Sequence, residues 1–265
     1  MRKYKYLLVD LDGVIWRGEK PIKKNVEALI DIAEKGVEIY YITNNSTRSR
    51  VEYVNRLKRF GISTDAEHVV NTAYLAAHYV LGAGGEKVFI IGEAGMYYEA
   101  SIAGLVPVTI GSSAEYVIVG LDRFLTYSKV AYATKLIRMG ARFIATNADN
   151  VYPVEEGFDP GAGSIISMIR EVVGRDPDIV IGKPNPWILD FLAERHGVEL
   201  DRALVVGDRI DTDVRMGAAR GVDTLFLLTG VGEINDIERY GLKPTYVARD
   251  LAEFYRECRE CFEDS

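Results

Sequence analysis

Two aspartates at the end of an apolar run could share one chemical task. In "YKYLLVDLDGVIWRG", residues 4–18, the apolar run reaches Asp10, and Asp12 follows just before Gly13. Residues two apart in a strand point the same way, so both carboxylates can face one pocket if the extended conformation continues past Asp10. Like charges at close range raise each other's pKa, and a bound cation is the usual remedy. The alternative is a turn in which two solvated acids precede the glycine.

Two further polar stretches follow predicted strands. "YITNNS" offers the hydroxyl of Thr43 and the amides of Asn44 and Asn45 ahead of a helix, and such groups can cradle a phosphate. "VIGKPNP" sets Lys183 after a short apolar run, where its ammonium group can neutralise a carboxylate and an incoming phosphate. Taken alone, the first stretch also fits an N-capped turn, and a lone lysine also fits a solvated surface position.

A third stretch, "VVGDRIDTDV", carries Asp208, Asp211 and Asp213. By itself it also fits an acidic helix N-terminus that the helix dipole favours. A parallel sheet, however, brings the carboxyl ends of its strands to one edge, which is where open α/β sheets bind their ligands. The combination of all four stretches is therefore much more specific than any one of them.

The elements that must position these residues are strands alternating with helices. Short apolar runs such as "KYLLVD" alternate with amphipathic stretches such as "NVEALIDIAEKG" along nearly the whole chain. This pattern is typical of a parallel sheet covered by helices and predicts an α/β fold. The middle of the chain repeats the alternation, so we expect a second small α/β unit inserted at residues 74–178. Residues 1–73 and 179–265 then form the core domain.

Composition limits the function classes. The chain has 265 residues, 48% of them hydrophobic and 27% charged, and a formal net charge of −7. This balance gives no basic footprint for nucleic acid or an anionic membrane surface, so neither partner is expected. No stretch approaches the roughly 20 apolar residues of a membrane span, and Asp10 interrupts the N-terminal run early, so we expect a cytoplasmic protein.

The two cysteines, Cys258 and Cys261, lie in "ECRECF". One such pair cannot complete a zinc site. A helical pair without a chemical role is favoured over a redox or intermolecular disulfide role.

The four stretches together resemble the motifs of the haloacid dehalogenase superfamily, which here read "DLDGV", "TNN", "KP" and "GDRIDTD". The resemblance spans nearly the whole chain. The middle segment, with "IIGEAG", "GLD", "ATNAD" and "PGAGSI", is similar to the α/β cap of the NagD-like branch, which includes 4-nitrophenyl phosphatases and phosphoglycolate phosphatases. The resemblance implies a Rossmann-like, doubly wound parallel-sheet core with an inserted α/β cap.

The resemblance also implies roles for individual residues. Asp10 would be the nucleophile that forms an aspartyl-phosphate, Asp12 the acid/base, and Lys183 a catalytic cation. The ligands of Mg²⁺ would be the Asp10 side chain, the Asp12 backbone carbonyl and Asp208. Asp213 would lie behind these ligands.

The remaining candidates concern substrate binding. By the same resemblance Thr43, Asn44 and Asn45 would contact the phosphoryl group. Tyr152, in the stretch between "ATNAD" and "PGAGS", either contacts the substrate or packs the cap's own core. We expect Asp211 to be a solvated acid at a helix start.

The function predicted is a Mg²⁺-dependent phosphomonoesterase acting on a small soluble phosphate ester. One alternative is a phosphotransferase or mutase, which passes the same aspartyl-phosphate to a hydroxyl. Another is a non-enzymatic phospho-acceptor or binding module, although such a module needs no inserted cap. An exposed apolar face of the cap could form a homodimer.

Overall fold

The computed structural model describes residues 3–154 and 157–262 of the chain. The strands in chain order are β1 (Tyr6–Asp10), β2 (Trp16–Arg17), β3 (Lys20–Pro21), β4 (Glu38–Thr43), β5 (Val69–Asn71), β6 (Lys87–Ile91), β7 (Val106–Val108), β8 (Tyr116–Val119), β9 (Arg142–Ala145), β10 (Val151–Val154), β11 (Gly157–Pro160), β12 (Ile179–Val180), β13 (Ala203–Gly207), β14 (Asp223–Leu227) and β15 (Tyr246–Ala248). The helices are α1 (Lys23–Ala33), α2 (Arg50–Arg59), α3 (Thr72–Gly82), α4 (Ala94–Ile102), α5 (Tyr127–Arg138), α6 (Ala162–Val173), α7 (Trp187–His196), α8 (Arg215–Ala218), α9 (Asp236–Tyr240) and α10 (Leu251–Glu257).

The chain divides into two compact units. The first unit comprises Met1–Thr43, Val54–Val70 and Lys183–Ser265, and the second comprises Asn44–Tyr53 and Asn71–Gly182. The insertion predicted at residues 74–178 falls inside the second unit. Its predicted start lies in the first turn of α3, because the Asn71 side chain caps this helix by accepting the N–H of Tyr74 at 2.8 Å.

The first unit is built on a six-stranded sheet with the order β15-β14-β13-β1-β4-β5. The strands from β15 to β4 pair in parallel. The connection from β1 leads to β4 on one side and that from β13 leads to β14 on the other. The strand order therefore reverses between β1 and β13, as in a doubly wound sheet.

The centre of this sheet is covered on both faces. Leu7, Leu8 and Val9 of β1 are fully buried, which explains why this strand is a continuous apolar run rather than an alternating one. Val9 pairs with Val206 of β13, and Asp10 pairs with Ile42 of β4. The polar residues that follow these strands therefore emerge at one edge of the sheet.

The second unit has its own five-stranded parallel sheet, with the order β12-β9-β8-β6-β7. Helices α5 and α6 cover it, and Phe89, Val117, Phe143 and Ile169 are among the residues of its core. Strands β10 and β11 form an antiparallel hairpin. The predicted fold class, an α/β doubly wound core with an α/β cap, is confirmed.

The predicted helical pair of cysteines is wrong in two respects. Helix α10 ends at Glu257, before Cys258, and the two buried cysteines are joined to each other in a disulfide. Their Cα atoms lie 5.4 Å apart, within the range that a disulfide can bridge. Among the described residues, none of the helices is both long and apolar enough to cross a membrane.

We predict that Asn25 stabilises the first unit. This fully buried side chain donates to the carbonyl of Val14 at 2.7 Å and accepts the N–H of Leu251 at 2.8 Å. Asn25→Ala leaves two backbone groups without that partner and should lower the free energy of unfolding by about 2–4 kcal/mol. Urea unfolding measures the loss. The exposed Lys23→Ala change in the same helix should stay within about 0.5 kcal/mol of wild type, and equal losses in both variants would contradict the prediction.

Candidate active site

Three carboxylates gather at the carboxyl edge of the first unit's sheet. Asp10 is the last residue of β1, Asp208 follows β13, and Asp213 lies in the π-helical turn Ile210–Val214. One carboxylate oxygen from each lies within 4.8 Å of those from the other two, and all three side chains are buried. The adjacency of β1 and β13 brings them together although about 200 residues separate them in sequence.

Lys183 lies between two of these acids. Its Nζ donates to Asp10 Oδ1 at 2.5 Å and to Asp213 Oδ1 at 2.7 Å, and the residue is only 4% exposed. The alternative of a solvated surface lysine does not describe this position. Asp213, expected behind the cation ligands, contributes its carboxylate to the cluster itself, and the backbone N–H of Arg209 donates to its other oxygen at 3.2 Å.

Burial and mutual repulsion shape the charges of the cluster. Burial raises the pKa of Asp10 well above its usual range, the charges of Asp213 and Asp208 add to the rise, and Lys183 opposes it. Burial and the Asp213 charge raise the pKa of Asp208 to about 7, although the Val231 N–H donates to its carboxylate at 2.8 Å. Burial alone would lower the pKa of Lys183, but Asp10 and Asp213 outweigh it and raise the pKa, so the side chain stays an ammonium ion.

Two glycines leave room beside Asp208. A Cβ at Gly13 or at Gly230 would overlap the Asp208 carboxylate, and Gly13 also has φ +82°, a conformation that favours glycine. Backbone thus approaches the carboxylate where any larger residue would collide with it. A cluster of oxygen donors with excess negative charge suits a hard divalent cation. The residues present therefore fit a metal site.

Asp12 lies outside this cluster. Strand β1 ends at Asp10, and the chain then turns tightly, with the N–H of Ile15 donating to the Leu11 carbonyl at 2.8 Å. Both carboxylates could face one pocket only if the strand continued to Asp12, and it ends at Asp10. Asp12 is exposed, and its Oδ1 accepts the indole N–H of Trp16 at 2.8 Å.

The predicted phosphate-binding stretch crosses from one unit to the other. Thr43 is the buried last residue of β4 in the first unit, whereas Asn44 belongs to the second. The Asn44 side chain donates to Asp149 Oδ2 at 3.0 Å. Its backbone carbonyl accepts from Thr72 Oγ1 at 2.7 Å and from Asn147 Nδ2 at 2.9 Å. Residues of the second unit thus fix the orientation of Asn44.

Asn45 serves its own loop. Its Oδ1 accepts the N–H of Thr47 at 3.0 Å and the Thr47 hydroxyl at 2.7 Å, which is the pattern of an Asx turn. This contact agrees with the turn alternative for the stretch.

Two candidate residues remain, Tyr152 in the second unit and Asp211 in the first. Tyr152, in β10, is partly buried and packs against the second unit's own core. Asp211 is partly exposed and pairs with Arg209 at 2.8 Å.

Sequence reasoning missed several residues that touch the candidate groups. These residues are Trp16, which contacts Asp12, and Asn147 and Asp149, which both contact Asn44. Each lies within or next to a motif described above, but its partner lies across a turn or in a distant segment. An isolated indole or amide has no spacing pattern that would assign it a partner.

Comparisons with known proteins agree with this geometry. Residues 7–106 match the haloacid dehalogenase-like hydrolase family, and residues 180–254 match a second model described as HAD-hydrolase-like. An acid sugar phosphatase of Staphylococcus aureus is 36% identical over 97% of this chain and 99% of its own length. A p-nitrophenyl phosphatase from Archaeoglobus fulgidus is 36% identical, with a TM-score of 0.91 over 96% of this chain and 99% of that one. NagD from E. coli K-12 is 27% identical, with a TM-score of 0.86 over 95% of this chain and 98% of that one.

The chain therefore belongs to the haloacid dehalogenase-like hydrolases. Within that family it is a phosphatase of the NagD-like branch. Phosphatases of this family generally use a divalent metal ion, and the buried carboxylate cluster is suited to hold one.

We predict that cation affinity weakens in acid. Asp208 has a pKa of about 7 and must be deprotonated to bind a cation, so protons compete with the cation below that pH. Affinity for Mg²⁺, measured by isothermal titration calorimetry, should fall by about tenfold or more per pH unit below about pH 7 and level off above it.

Two variants test the source of this dependence. Asp208→Asn should remove most of the affinity. Asp211→Asn, which changes an acid that lies outside the cluster, should keep both the affinity and its pH dependence. Affinity that is independent of pH between 5.5 and 8 would contradict the assignment.

Proposed function

We propose that the protein is a Mg²⁺-dependent phosphomonoesterase that hydrolyses a small soluble phosphate ester through an aspartyl-phosphate on Asp10. The observation that carries this proposal is the buried pairing of Asp10 with Lys183 beside Asp208 and Asp213. The Lys183 ammonium group opposes the burial that raises the pKa of Asp10, and a bound cation would favour the carboxylate further, so Asp10 can attack phosphorus once metal and substrate are bound.

The reaction has two halves. A carboxylate oxygen of Asp10 bonds to phosphorus while the ester P–O bond breaks, and Asp12 gives its proton to the departing ester oxygen. Water then attacks the aspartyl-phosphate, Asp12 takes a proton from that water, and inorganic phosphate leaves as Asp10 is restored. Two easier displacements replace one difficult hydrolysis, and the acid/base contributes typically 10²–10⁴-fold.

Asp10, the backbone carbonyl of Asp12 and Asp208 would hold the Mg²⁺ ion. When bound, the ion supplies positive charge that offsets the carboxylates and the phosphoryl oxygens. Lys183 adds a fixed positive charge that persists throughout, because Asp10 and Asp213 keep it protonated.

Positioning groups complete the proposed site. The hydroxyl of Thr43 and the amides of Asn44 and Asn45 would donate to phosphoryl oxygens, and Tyr152 would contribute to contacts with the leaving group. Asp149 accepts a hydrogen bond from the Asn44 amide, so the amide is oriented before substrate arrives.

The names of the relatives support a choice of substrates to test first. The acid sugar phosphatase of S. aureus and the p-nitrophenyl phosphatase of A. fulgidus act, by name, on sugar phosphates and an aryl phosphate. Sugar phosphates and 4-nitrophenyl phosphate therefore come first in a substrate panel, followed by phosphoglycolate and nucleoside monophosphates.

We predict Mg²⁺-dependent phosphate release from this panel. Asp10→Asn keeps the shape of the side chain but removes the nucleophile, so it should lower kcat by about 10³-fold or more. Phosphate release with Mg²⁺ and with chelator, for wild type and variant, measures the effect. Asp211→Asn changes an acid outside the cluster and should retain most of the activity.

The same assay separates the alternatives. Addition of an alcohol acceptor should leave inorganic phosphate as the main product, whereas a phosphotransferase would form a new ester. Near-wild-type turnover by Asp10→Asn would refute the nucleophile assignment.

A further inference from the structure

The indole of Trp16 contacts the proposed acid/base directly. Its N–H donates to Asp12 Oδ1 at 2.8 Å, and the side chain is fully buried although Asp12 itself is exposed. We propose that Trp16 is a positioning residue: its N–H fixes the rotamer of Asp12 so that the other oxygen, Oδ2, delivers the proton to the leaving group. This inference rests on the proposed function, since it requires proton transfer by Asp12.

Arg56 and Phe60 both contact the indole ring of Trp16. The guanidinium group of Arg56, in α2, stacks over the ring with its Cζ 4.0 Å from the ring centroid. The same guanidinium donates to the backbone carbonyl of Gly18 in the loop between β2 and β3. The ring of Phe60 lies 6.0 Å from the indole, at an interplanar angle of 56°. A cation–π stack and an aromatic contact therefore hold the ring plane in one orientation.

The backbone that carries the two residues is equally constrained. The N–H of Gly13 donates to the Trp16 carbonyl at 2.8 Å, and that of Ile15 donates to the Leu11 carbonyl at 2.8 Å. The buried Asn25 side chain holds the Val14 carbonyl at 2.7 Å. The turn from Leu11 to Trp16 is thus a rigid frame, in which Asp12 and Trp16 also form a backbone bridge.

Trp16 has one polar atom, and it is a donor only. With the ring plane and the backbone both fixed, the direction of this N–H is fixed as well. The buried N–H needs an acceptor, and Asp12 Oδ1 supplies it, so the contact constrains both side chains. An exposed carboxylate otherwise samples several χ1 and χ2 rotamers, and holding one of them removes an entropic cost from the reaction.

In the proposed step, Asp12 transfers one proton to the departing ester oxygen. The Oδ2–H bond of Asp12 breaks as the P–O ester bond breaks, the proton goes to the ester oxygen, and the electron pair of the O–H bond stays on Asp12 as the carboxylate. A poor leaving group, such as the alkoxide of a sugar phosphate, needs this proton. The 4-nitrophenolate of 4-nitrophenyl phosphate is stable as an anion and hardly needs it.

The relative activity on the two esters therefore distinguishes positioning of Asp12 from a purely structural role, which would affect both esters equally. Trp16→Phe keeps an aromatic ring for Arg56 but removes the N–H. The ratio of kcat/KM for glucose 6-phosphate to kcat/KM for 4-nitrophenyl phosphate should fall about tenfold or more in this variant. Trp187→Phe makes the same substitution at the other tryptophan, whose ring packs against Phe191 in α7, and should leave the ratio at its wild-type value.

Two further variants test whether the effect arises from the N–H and acts through Asp12. Replacement of Trp16 by benzothienylalanine, in which sulfur takes the place of the indole N–H, preserves the ring shape and should reproduce the fall in the ratio if Trp16→Phe does not fold. In an Asp12→Asn background, Trp16→Phe should lower the ratio no further, since the residue acts through Asp12.

Two results would overturn the inference: an unchanged ratio in Trp16→Phe, whether or not both activities fall equally, or a further fall of the ratio in the Asp12→Asn background. A wild-type protein that hydrolyses neither these esters nor any other in the panel would instead refute the proposed function, and this inference with it.

Discussion

Three carboxylates buried around one ammonium group are the constraint on which the rest of the site depends. Removing a carboxylate from water is costly unless opposite charge compensates, and Lys183 can compensate only part of the charge of Asp10, Asp208 and Asp213. The raised pKa values of Asp10 and Asp208 are the sign of the remaining deficit. Such a site gains free energy by taking up positive charge, as protons in acid or as a cation near neutral pH.

The fold supplies this cluster through strand adjacency and close backbone approach. Because β1 and β13 are neighbours in a parallel sheet, Asp10 and Asp208 leave it at the same edge. Glycine at positions 13 and 230 then lets two backbone segments close around the Asp208 carboxylate, where a methyl group would collide with it. The buried apolar core of β1 makes the edge rigid, and that rigidity keeps like charges together against their repulsion.

Much of this could be predicted from sequence because it depends on periodicity and on strand ends. Apolar runs alternating with amphipathic stretches identified the α/β fold, and the polar residues after those runs were the ones that gather at the sheet edge. The strand order came only from family resemblance, since periodicity does not specify which strands are neighbours. The contacts of Asp149 with Asn44 and of Trp16 with Asp12 could not be predicted, because they depend on turn geometry and on side-chain direction. The place of Asp213 in the cluster could not be predicted either, because Asp213 lies in a π-helical turn for which the sequence has no recognised signal.

The two aspartates of the first motif lie in opposite environments, and this contrast is consistent with the different roles proposed for them. Asp10 is buried and contacts Lys183, which suits the proposed nucleophile because the ammonium group favours the charged form of the carboxylate and burial shields it from water. Asp12 is exposed and held by an indole N–H, which suits a group that must exchange protons with a leaving oxygen and then with water. The separation arises because β1 ends at Asp10: a strand continuing for two more residues would have placed both carboxylates on the same face and increased their repulsion. The tight turn stabilised by Gly13 and Trp16 therefore ends the strand and also places Asp10 and Asp12 in different surroundings.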